Sequence, residues 1–387
     1  METFLHRGYI DFLTLAPVFI GSGQELNKKE YIYDRNSGSI HLVDFRKMYE
    51  GLQSRRLLDA FEEYLMEDTP GKDKRMGDYP VQKRELYQFL RDNHVPEAAY
   101  KTWYIGSEKV GDPKGMNMRS AKSIQMFMRD AQNRPFIPGS SFKGMLRTVL
   151  ETRYFLEHRE EAETMADEIR NARKQKRNYY LSQEDRKIDV RSMHREMFDV
   201  DKADESNDML RGLMVGDSQP LSLDDMCICE KTDLSVDGEN RSTRIPVFRE
   251  CIKPGIIIRI PITIDTKLCS FTMKDILAAM AEFNKNYMTQ FTNHFKGAPP
   301  TRGNSTTFYL GGGVGYPSKT VTYGIMQGQE AVSMTANIID QTLGDKARNE
   351  HKHYLDSKKG VSPHLLKCTM YQGKLYQMGV CCVKTYL

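Results

Sequence analysis

The sequence predicts an α+β fold made of two successive units. Three observations support this prediction: alternating apolar runs near the N-terminus, a helical stripe of apolar residues in mid-chain, and further strand-like runs around one helical stripe in the second half. Strands and helices interspersed in this way are typical of α+β domains. The composition changes near Asp208, which places the expected boundary between domains 1–208 and 209–387.

The composition is that of a soluble globular protein. The 387 residues are 39% apolar and 28% charged, and 56 Lys and Arg residues against 52 Asp and Glu residues leave a net charge of +4. This balance neither requires nor excludes nucleic acid, because a local basic face matters more than the total. No run approaches the ~18 apolar residues of a membrane helix, and the N-terminus has an acid at Glu2 and no signal-peptide cleavage pattern. The seven scattered cysteines suit reduced thiols, so we expect a cytoplasmic protein with no membrane partner.

The first half is expected to begin with a strand at Tyr9–Ala16. Gly21, Ser22 and Gly23 then allow a tight turn or a close approach by another backbone. The elements that follow are a hairpin (Glu30–Tyr33 with Ser39–Val43), a helix capped by Asp44, a polar loop (Thr69–Tyr79), a helix (Gln82–Asn93) and a short strand (Trp103–Ser107). We interpret residues 44–93 as a helical insertion between strands.

The stretch Phe136–Glu151 gives the clearest local signal. A Pro-Gly turn is followed by Ser140 and Ser141, either of which can cap a helix, and then by apolar residues at helical spacing. Lys143 and Arg147 lie four residues apart on another face, near a helix start whose free N–H groups suit a phosphate. A capped helix with two solvated cations explains the same spacing equally well.

Two charged stretches flank this helix. Val110–Phe136 interleaves cations with Met and Phe side chains, which suits a strand of nucleic acid, although a solvated loop with some buried Met is roughly twice as common for any one residue. Residues 157–208 form a charged insertion, in which Arg170–Arg177 has five cations and no acid. A phosphate-contacting arm is one interpretation, and a solvated or partly disordered insertion is the favoured one.

The second half is expected to contain strands on either side of a helix. The predicted elements are a strand at Leu213–Gly216, a strand from Cys227, a hairpin of Ile245–Ile252 with Ile256–Ile264, a helix at Asp275–Phe291 and a last strand within Met378–Tyr386. The continuous run Ile256–Ile258 indicates a strand buried on both faces.

A glycine-rich stretch lies between that helix and the last strand. Gly311, Gly312, Gly313 and Gly315 combine backbone freedom with little bulk, as close contact with a helix or a phosphate requires. Beyond these glycines, Tyr316 has a ring that can stack on a base, and Lys319 can reach a phosphate.

The same stretch is nearly a nucleotide-binding P-loop. Ser318, however, stands where the P-loop needs its second glycine, and Pro317 removes an N–H from the phosphate cradle. Tyr323-Gly324 also interrupts the helix that should follow. A P-loop NTPase is therefore a minor alternative.

Three of these stretches, taken in order, resemble the RAMP proteins of CRISPR systems. Ile137–Arg147 (IPGSSFKGMLR) looks like the family's IPGSSLKGxLR motif, Leu15–Gly23 resembles its first strand with an IGSG turn, and Leu310–Thr320 resembles its glycine-rich loop. With Tyr31–Asp34 after the first turn, this order is most similar to the fifth-subunit family of type III-A (Csm) effector complexes. The motifs span most of the chain, and three in order are far more specific than any one.

The resemblance implies two ferredoxin-like (RRM-like) domains with helical insertions. It also implies a non-catalytic structural subunit that binds the guide RNA (crRNA), caps its 3′ end and assists its maturation, with other Csm subunits and a host trimming nuclease as partners. Because a guide changes from one spacer to the next, we expect contacts to the RNA backbone and 2′-OH groups. The expected RNA-binding residues are Gly21, Ser22, Gly23, Ser140, Ser141, Lys143, Arg147, Gly311, Gly312, Gly313, Gly315, Tyr316 and Lys319.

Two alternatives remain open within this resemblance. One is another RAMP subunit of the same complex, such as the one that binds the 5′ handle. The other is a metal-independent endoribonuclease, which would need a general base. His6, His41, His94 and His158 are candidates by residue type alone.

The sequence gives no positive signal for catalysis, a cofactor or a metal. In the backbone subunits of the resembled complexes, an Asp upstream of the IPGSS-like motif cleaves target RNA. Here that stretch holds Asp112 and Asp130, but neither has the glycine-rich setting expected of such a residue. Asp130 is more simply a turn residue. Cysteine pairs lack C-x-x-C spacing, and His351 and His353, two apart on a helix, would point away from each other. We therefore expect structural thiols and solvated histidines.

Overall fold

The computed structural model describes residues 4–27, 29–34, 39–66, 85–100, 104–106, 123–174, 180–194, 207–238 and 247–387. In these ranges the strands are β1 (Leu5–Thr14), β2 (Gly21–Asn27), β3 (Tyr31–Asp34), β4 (Ser39–Leu42), β5 (Tyr104–Gly106), β6 (Ser123–Phe127), β7 (Leu213–Val215), β8 (Met226–Ser235), β9 (Val247–Ile252), β10 (Ile257–Asp265), β11 (Thr307–Tyr309), β12 (Leu365–Tyr371), β13 (Lys374–Gln377) and β14 (Val380–Tyr386). The α-helices are α1 (Phe45–Gln53), α2 (Leu58–Met66), α3 (Leu86–Asp92), α4 (Gly139–Glu157), α5 (Arg159–Lys174), α6 (Tyr180–Met193), α7 (Met273–Gln290), α8 (Thr322–Ile325), α9 (Gly328–Thr342), α10 (Asp345–His351) and α11 (Asp356–Lys359). The predicted α+β class is confirmed.

The first sheet joins the two ends of the chain. Its strand order is β11-β14-β1-β10-β7, and every neighbouring pair is antiparallel. Apolar alternation in β1 places Ile10 and Phe12 in the core, fully buried. Between these strands the chain forms α4 and α7, so the order along the sequence is β1, α4, β7, β10, α7 and β14.

Helices α4 and α7 pack on this sheet and on each other. Three fully buried rings connect the helix motif to the sheet: Phe142 of α4 stacks on Phe12 of β1 with centroids 5.7 Å apart, and Phe308 of β11 contacts both edge-on. The helix predicted at Asp275–Phe291 is confirmed as α7. It begins after Thr272, whose hydroxyl accepts from the Asp275 amide in a capping box. Such aromatic contacts fix α4 against β1, so the IPGSS-like motif lies at a defined position.

The second sheet is built from segments inserted between the elements of the first. Its order is β13-β12-β8-β9-β6-β2, and β6 and β9 run parallel. Both sheets contain strands from before and after residue 208. The two halves of the sequence therefore build these sheets jointly, while the proposed domain boundary itself stays a prediction.

The predicted hairpin across Lys253-Pro-Gly255 is wrong. Strand β9 pairs with β8 and β6 in the second sheet, and β10 pairs with β1 and β7 in the first. The prediction of a strand buried on both faces is also wrong, since β10 alternates and the Ile257 side chain is 64% exposed. A tight turn signal fixes a change of direction, but it cannot determine which strands pair across it.

The described part of residues 44–93 contains helices α1 to α3, between strands β4 and β5. Strands β3, β4 and β5 form a third sheet, and helices α1 to α3 pack beside it around a core that includes Tyr64 and Phe89, with centroids 4.8 Å apart. Asp44 caps α1 by accepting from the Lys47 amide, as predicted. The single predicted helix is divided into α1 and α2, because Arg56 has a positive φ of 56°.

The charged insertion is folded in its described part, contrary to the solvated or disordered interpretation. Helix α5 buries a stripe of small and apolar residues against α8 and α9, comprising Ala162, Met165, Ala166 and Ile169. Arg159 also donates to the carbonyls of Gly324 and Ile325 at 2.8 and 3.0 Å. Arg170, from the predicted basic arm, forms ion pairs with Glu163, Asp167 and Glu330. Among the described helices, none is long and apolar enough to cross a membrane.

Candidate functional site

Backbone hydrogen bonds bring the three sequence motifs together. The Gly312 amide donates to the Phe19 carbonyl at 2.6 Å, and the Met128 amide donates to the Ile20 carbonyl at 2.8 Å. The Phe136 amide then donates to the Met128 carbonyl at 3.3 Å. The glycine-rich loop, the IGSG segment and the chain entering α4 therefore lie side by side, although almost 300 residues separate the first two in the sequence.

Phe19 is the common contact of two of these motifs. A Cβ atom on Gly21 would lie 3.0 Å from the Phe19 ring, and one on Gly312 would lie 2.9 Å from it. The Arg249 guanidinium lies 5.3 Å from the ring centroid, and a Cβ on Gly313 would lie 2.3 Å from its Nη1 atom. We call these five residues, Phe19, Gly21, Arg249, Gly312 and Gly313, the Phe19 cluster.

The glycine-rich loop needs glycine for both conformation and space. Gly311, Gly313 and Gly315 have positive φ angles of 90°, 76° and 96°, which side chains of L-residues rarely adopt. A Cβ on Gly311 would also lie 2.1 Å from the Phe19 carbonyl oxygen. The absence of a side chain at Gly311 therefore permits a close contact with the protein's own backbone.

The residues after these glycines fold back on the loop. Pro317 is buried in a 3-10 turn at Tyr316–Ser318, and the Ser318 hydroxyl donates to the carbonyls of Val314 and Gly315 at 3.1 and 3.0 Å. Because Ser318 closes the loop internally and the helix that follows has only four residues, the loop lacks the P-loop arrangement.

The two predicted contact side chains of this loop differ in exposure. Tyr316 is half-buried, and its hydroxyl forms a hydrogen bond with Thr322 at 3.0 Å. Lys319 is exposed, and nearby protein atoms lower the pKa of its ammonium group by desolvation. Lys319 is therefore placed to meet a ligand in solvent, whereas Tyr316 is held by the fold.

The IGSG segment opens strand β2 rather than forming a tight turn. The register between β2 and β6 shifts between Gly21 and Glu25, and Gly23 has a positive φ of 83° with no atom within 4 Å of where a Cβ would lie. The Ser22 hydroxyl donates to the Met126 carbonyl at 3.2 Å. Gly21 and Gly23 are exposed, so this bulge presents open backbone beside Phe19.

The start of α4 differs from the prediction. Neither Ser140 nor Ser141 caps the helix, because it begins at Gly139 with Pro138 as the N-cap residue. Instead, the Asp217 carboxylate accepts from the Gly139 amide at 2.7 Å. This carboxylate occupies the position where an anion would meet the helix start, so the protein supplies its own negative charge there.

Lys143 and Arg147 are bonded within the protein. The Lys143 ammonium donates to the Leu210 carbonyl at 2.8 Å, and burial lowers its pKa. Arg147 forms ion pairs with Asp189 of α6 and with Asp208. These contacts anchor the charged insertion to α4, which gives both cations a structural role in place of the solvated one.

Arg249 is a cation that sequence analysis did not single out. Its Nε atom donates to Gln125 Oε1 at 3.0 Å, and burial lowers the pKa of its guanidinium. Its hydrogen-bond and ring partners, the Gln125 amide and the Phe19 ring, are neutral, while the nearby Asp233 carboxylate attracts it through its charge. A lone Arg in a strand gives no sequence signal; only the pairing of β9 with β6 places it at the glycine motifs.

Other sequence candidates are held in structural contacts or lie apart. Arg129 pairs with the buried Glu250, and Asp130 accepts from the amides of Gln132 and Arg134, which confirms Asp130 as a turn residue. Residues 110–122 of the predicted cation-rich segment, which include Asp112, lie outside the described residues. The four candidate histidines lie in separate parts of the chain: His6 is in β1, His41 is in β4, His94 follows α3, and His158 follows α4 and stacks on Tyr154.

Comparison with known proteins agrees with these motifs. "CRISPR system Cms protein Csm5" of Streptococcus thermophilus is 26% identical over 81% of this chain and 79% of its own length. The proteins of that name from Mycobacterium tuberculosis (strain CDC 1551 / Oshkosh) and Enterococcus italicus are 26% and 25% identical over 98% and 95% of this chain and 98% and 93% of their own lengths. The sequence resemblance to this subunit family is thereby confirmed.

Solved structures show the same fold. A chain of a cryo-EM structure of a Csm-crRNA-target RNA ternary complex superposes with a TM-score of 0.64 at 18% identity, covering 97% of this chain and all of that one. The crystal structure of T. onnurineus Csm5 gives a TM-score of 0.58 at 18% identity, covering 96% of this chain and 99% of that one. Residues 11–315 match the RAMP superfamily, and the chain therefore belongs to the RAMP superfamily.

Proposed function

We propose that this protein is a non-catalytic, crRNA-binding structural subunit of a type III-A CRISPR effector complex. The observation that carries the proposal is the meeting of the IGSG segment, the glycine-rich loop and Arg249 at Phe19. Relatives named Csm5 match nearly the whole chain, and a neighbour of known structure belongs to a complex with crRNA and target RNA. The protein acts with other Csm subunits in the cytoplasm, in antiviral defence.

We further propose that the first sheet and helices α4 and α7 form one ferredoxin-like unit. The order β1-α4-β7-β10-α7-β14 is the strand–helix–strand–strand–helix–strand pattern of that motif. This unit would span the chain from end to end rather than occupy its first half. The second sheet, made from insertions, is the counterpart of the second ferredoxin-like domain.

The proposed interface contacts RNA backbone rather than base edges. Exposed backbone at Gly21 and Gly23 and half-buried glycine backbone in the Gly311–Gly315 loop let a ribose-phosphate chain approach closely, while Arg249 and Lys319 supply positive charge. Ser22 and Tyr316 border this interface. Helix α4 supports this interface without contacting RNA through its residues Ser140, Ser141, Lys143 and Arg147. The Asp217 carboxylate already meets the start of this helix, and the Leu210 carbonyl accepts from Lys143. Arg147 is paired with Asp189 and Asp208.

The role assigned by the resemblance is the capping of the crRNA 3′ end. A subunit at this end would limit how far a host nuclease trims the RNA, and so would assist maturation by positioning. Contacts to backbone and 2′-OH groups suit this role, since every spacer ends in a different sequence.

The salt dependence of RNA binding tests this interface. Arg249→Gln and Lys319→Ala are each expected to reduce the slope of log K against log salt by about 0.7, the value for one phosphate contact on a single strand. Binding is measured with a labelled single-stranded RNA of mixed sequence and with a scrambled one, which should bind equally. Incubation of both RNAs with the chain, with and without EDTA, is expected to leave them intact.

Lys274→Ala is the matched control. Lys274 is exposed at the start of α7, about 20 Å along that helix from Tyr287, which packs on β11 just before the glycine-rich loop. An unchanged slope in both test variants would remove Arg249 and Lys319 from the interface. Cleavage that persists in EDTA would instead favour the endoribonuclease alternative.

A further inference from the structure

A buried cluster of histidine and carboxylate side chains lies in the segment before β12. The Asp356 side chain is fully buried, and its two oxygens are contacted by His353 Nδ1 at 2.9 Å and His364 Nδ1 at 2.6 Å. The Ser362 hydroxyl donates to the same carboxylate at 2.8 Å. The sequence predicts a solvated His353, and this prediction is wrong because the side chain is only 8% exposed.

The cluster has the ligand types and spacing of a metal site. One atom from each of His353, Asp356 and His364 lies within 4.8 Å of the other two. Imidazole nitrogen and carboxylate oxygen are common zinc ligands, bound at about 2.0–2.2 Å, which separates tetrahedral ligands by roughly 3.3 Å. The nitrogen–oxygen distances of 2.9 and 2.6 Å therefore need to grow by about 0.4 and about 0.7 Å for an ion to enter.

Burial makes a charge partner for this carboxylate necessary. A carboxylate removed from water is strongly destabilised unless a positive group compensates it. Either a protonated imidazole or a divalent cation can supply that charge, and the cation uses both histidines as neutral ligands. The two imidazole rings lie with centroids 4.9 Å apart, on either side of the carboxylate that both contact.

We propose that His353, Asp356 and His364 bind a zinc ion, in a structural site separate from the RNA interface. Three protein ligands leave one tetrahedral position, which the Ser362 hydroxyl borders. The sequence offered the pair His351 and His353, whereas the structure pairs His353 with a histidine eleven residues further on. That pairing depends on the turn through Ser362, so spacing alone could not find it.

The surroundings indicate what the ion would stabilise. The Ser362 carbonyl accepts from the buried Tyr323 hydroxyl of α8 at 2.6 Å, and the Gln329 amide of α9 donates to the Ser357 carbonyl at 2.9 Å. His364 leads directly into β12, where the Lys367 side chain lies 3.3 Å from the position that a Cβ atom on Gly315 would occupy. A zinc ion here would fix the segment between α9 and β12 against α8, and with it one wall of the glycine-rich loop.

Metal content of the full chain tests the proposal directly. Tag-free protein is stripped with a chelator, incubated with a tenfold excess of zinc sulfate, desalted and measured by elemental mass spectrometry. We expect about one zinc per chain in the wild type and roughly a tenth of that or less in Asp356→Asn and His353→Gln. The control is His294→Gln, which replaces an exposed histidine and should also bind about one zinc per chain. Zinc should also raise the Tm of the wild type and of the control only.

Two outcomes would overturn the zinc site. Wild-type protein that retains roughly a tenth of a zinc per chain or less shows that the cluster is a hydrogen-bonded histidine–carboxylate network without a metal. Asp356→Asn that is folded by circular dichroism and retains as much zinc as the wild type shows that the ion lies elsewhere. Because the wild-type measurement needs no substitution, misfolding of a variant cannot conceal the result.

Discussion

Gly311→Ala isolates the contact between the glycine-rich loop and the IGSG segment. Gly311 has a φ of 90°, and a Cβ there would lie 2.1 Å from the Phe19 carbonyl oxygen. The matched control is Gly23→Ala, where φ is 83° and no atom lies within 4 Å of the Cβ position. Both variants share the positive-φ strain and the reduced entropy of the unfolded chain, so their difference reports the close approach.

The expected magnitude follows from these contacts. Positive-φ strain costs about 1–2 kcal/mol at either position. At Gly311 the backbone must also move away from Phe19, which weakens the hydrogen bond from the Gly312 amide, worth about 1 kcal/mol, and disturbs packing at the Phe19 ring. We expect Gly311→Ala to be destabilised by about 3–5 kcal/mol and Gly23→Ala by about 1–2 kcal/mol.

Thermal unfolding measures this difference. Unfolding entropy of about 2.1 cal/mol/K per residue makes 1 kcal/mol correspond to about 1.2 °C for a chain of 387 residues. The Tm should therefore fall by about 4–6 °C in Gly311→Ala and by about 1–2 °C in Gly23→Ala. Equal shifts in the two variants would refute the reasoning, because the contact with Phe19 would then contribute nothing.

Two further substitutions test the charges that the fold pairs internally. Arg147→Ala leaves Asp189 and Asp208 without their cation, so we expect the free energy of unfolding to fall by about 1–3 kcal/mol and the salt slope of RNA binding to stay unchanged. The control Arg46→Ala, in an exposed pair, should cost about 0–0.5 kcal/mol. A reduced slope in Arg147→Ala would return this residue to the RNA interface. The Arg259 hydrogen bonds hold the pKa of Asp11 below its ordinary value of 3.8. Their contribution to stability is therefore fully present above pH 3.8 and is lost as the pH falls through the lowered pKa of the folded protein. The Tm of Asp11→Asn should accordingly vary less than that of the wild type between pH 5 and pH 3, and identical profiles would exclude this pair as an acid-sensitive contact.

Local elements of the fold could be predicted from the sequence. Helix α7 is indicated by the Thr272–Asp275 capping box and its apolar stripe, and the hairpin of β3 and β4 by alternation around a glycine turn. The three motifs also identified the family, because their residue types and order are properties of the chain alone.

Partners across long distances could only be found in the tertiary structure. A helix start with two cations looks the same whether its anion is a phosphate or a carboxylate, and only the fold brings Asp217 to Gly139 and Asp208 to Arg147. Likewise, nothing near Arg249 or His364 in the sequence reveals their partners. Sequence determines local conformation because neighbouring residues impose it. Charge pairing and burial depend on segments that meet only when the sheets form.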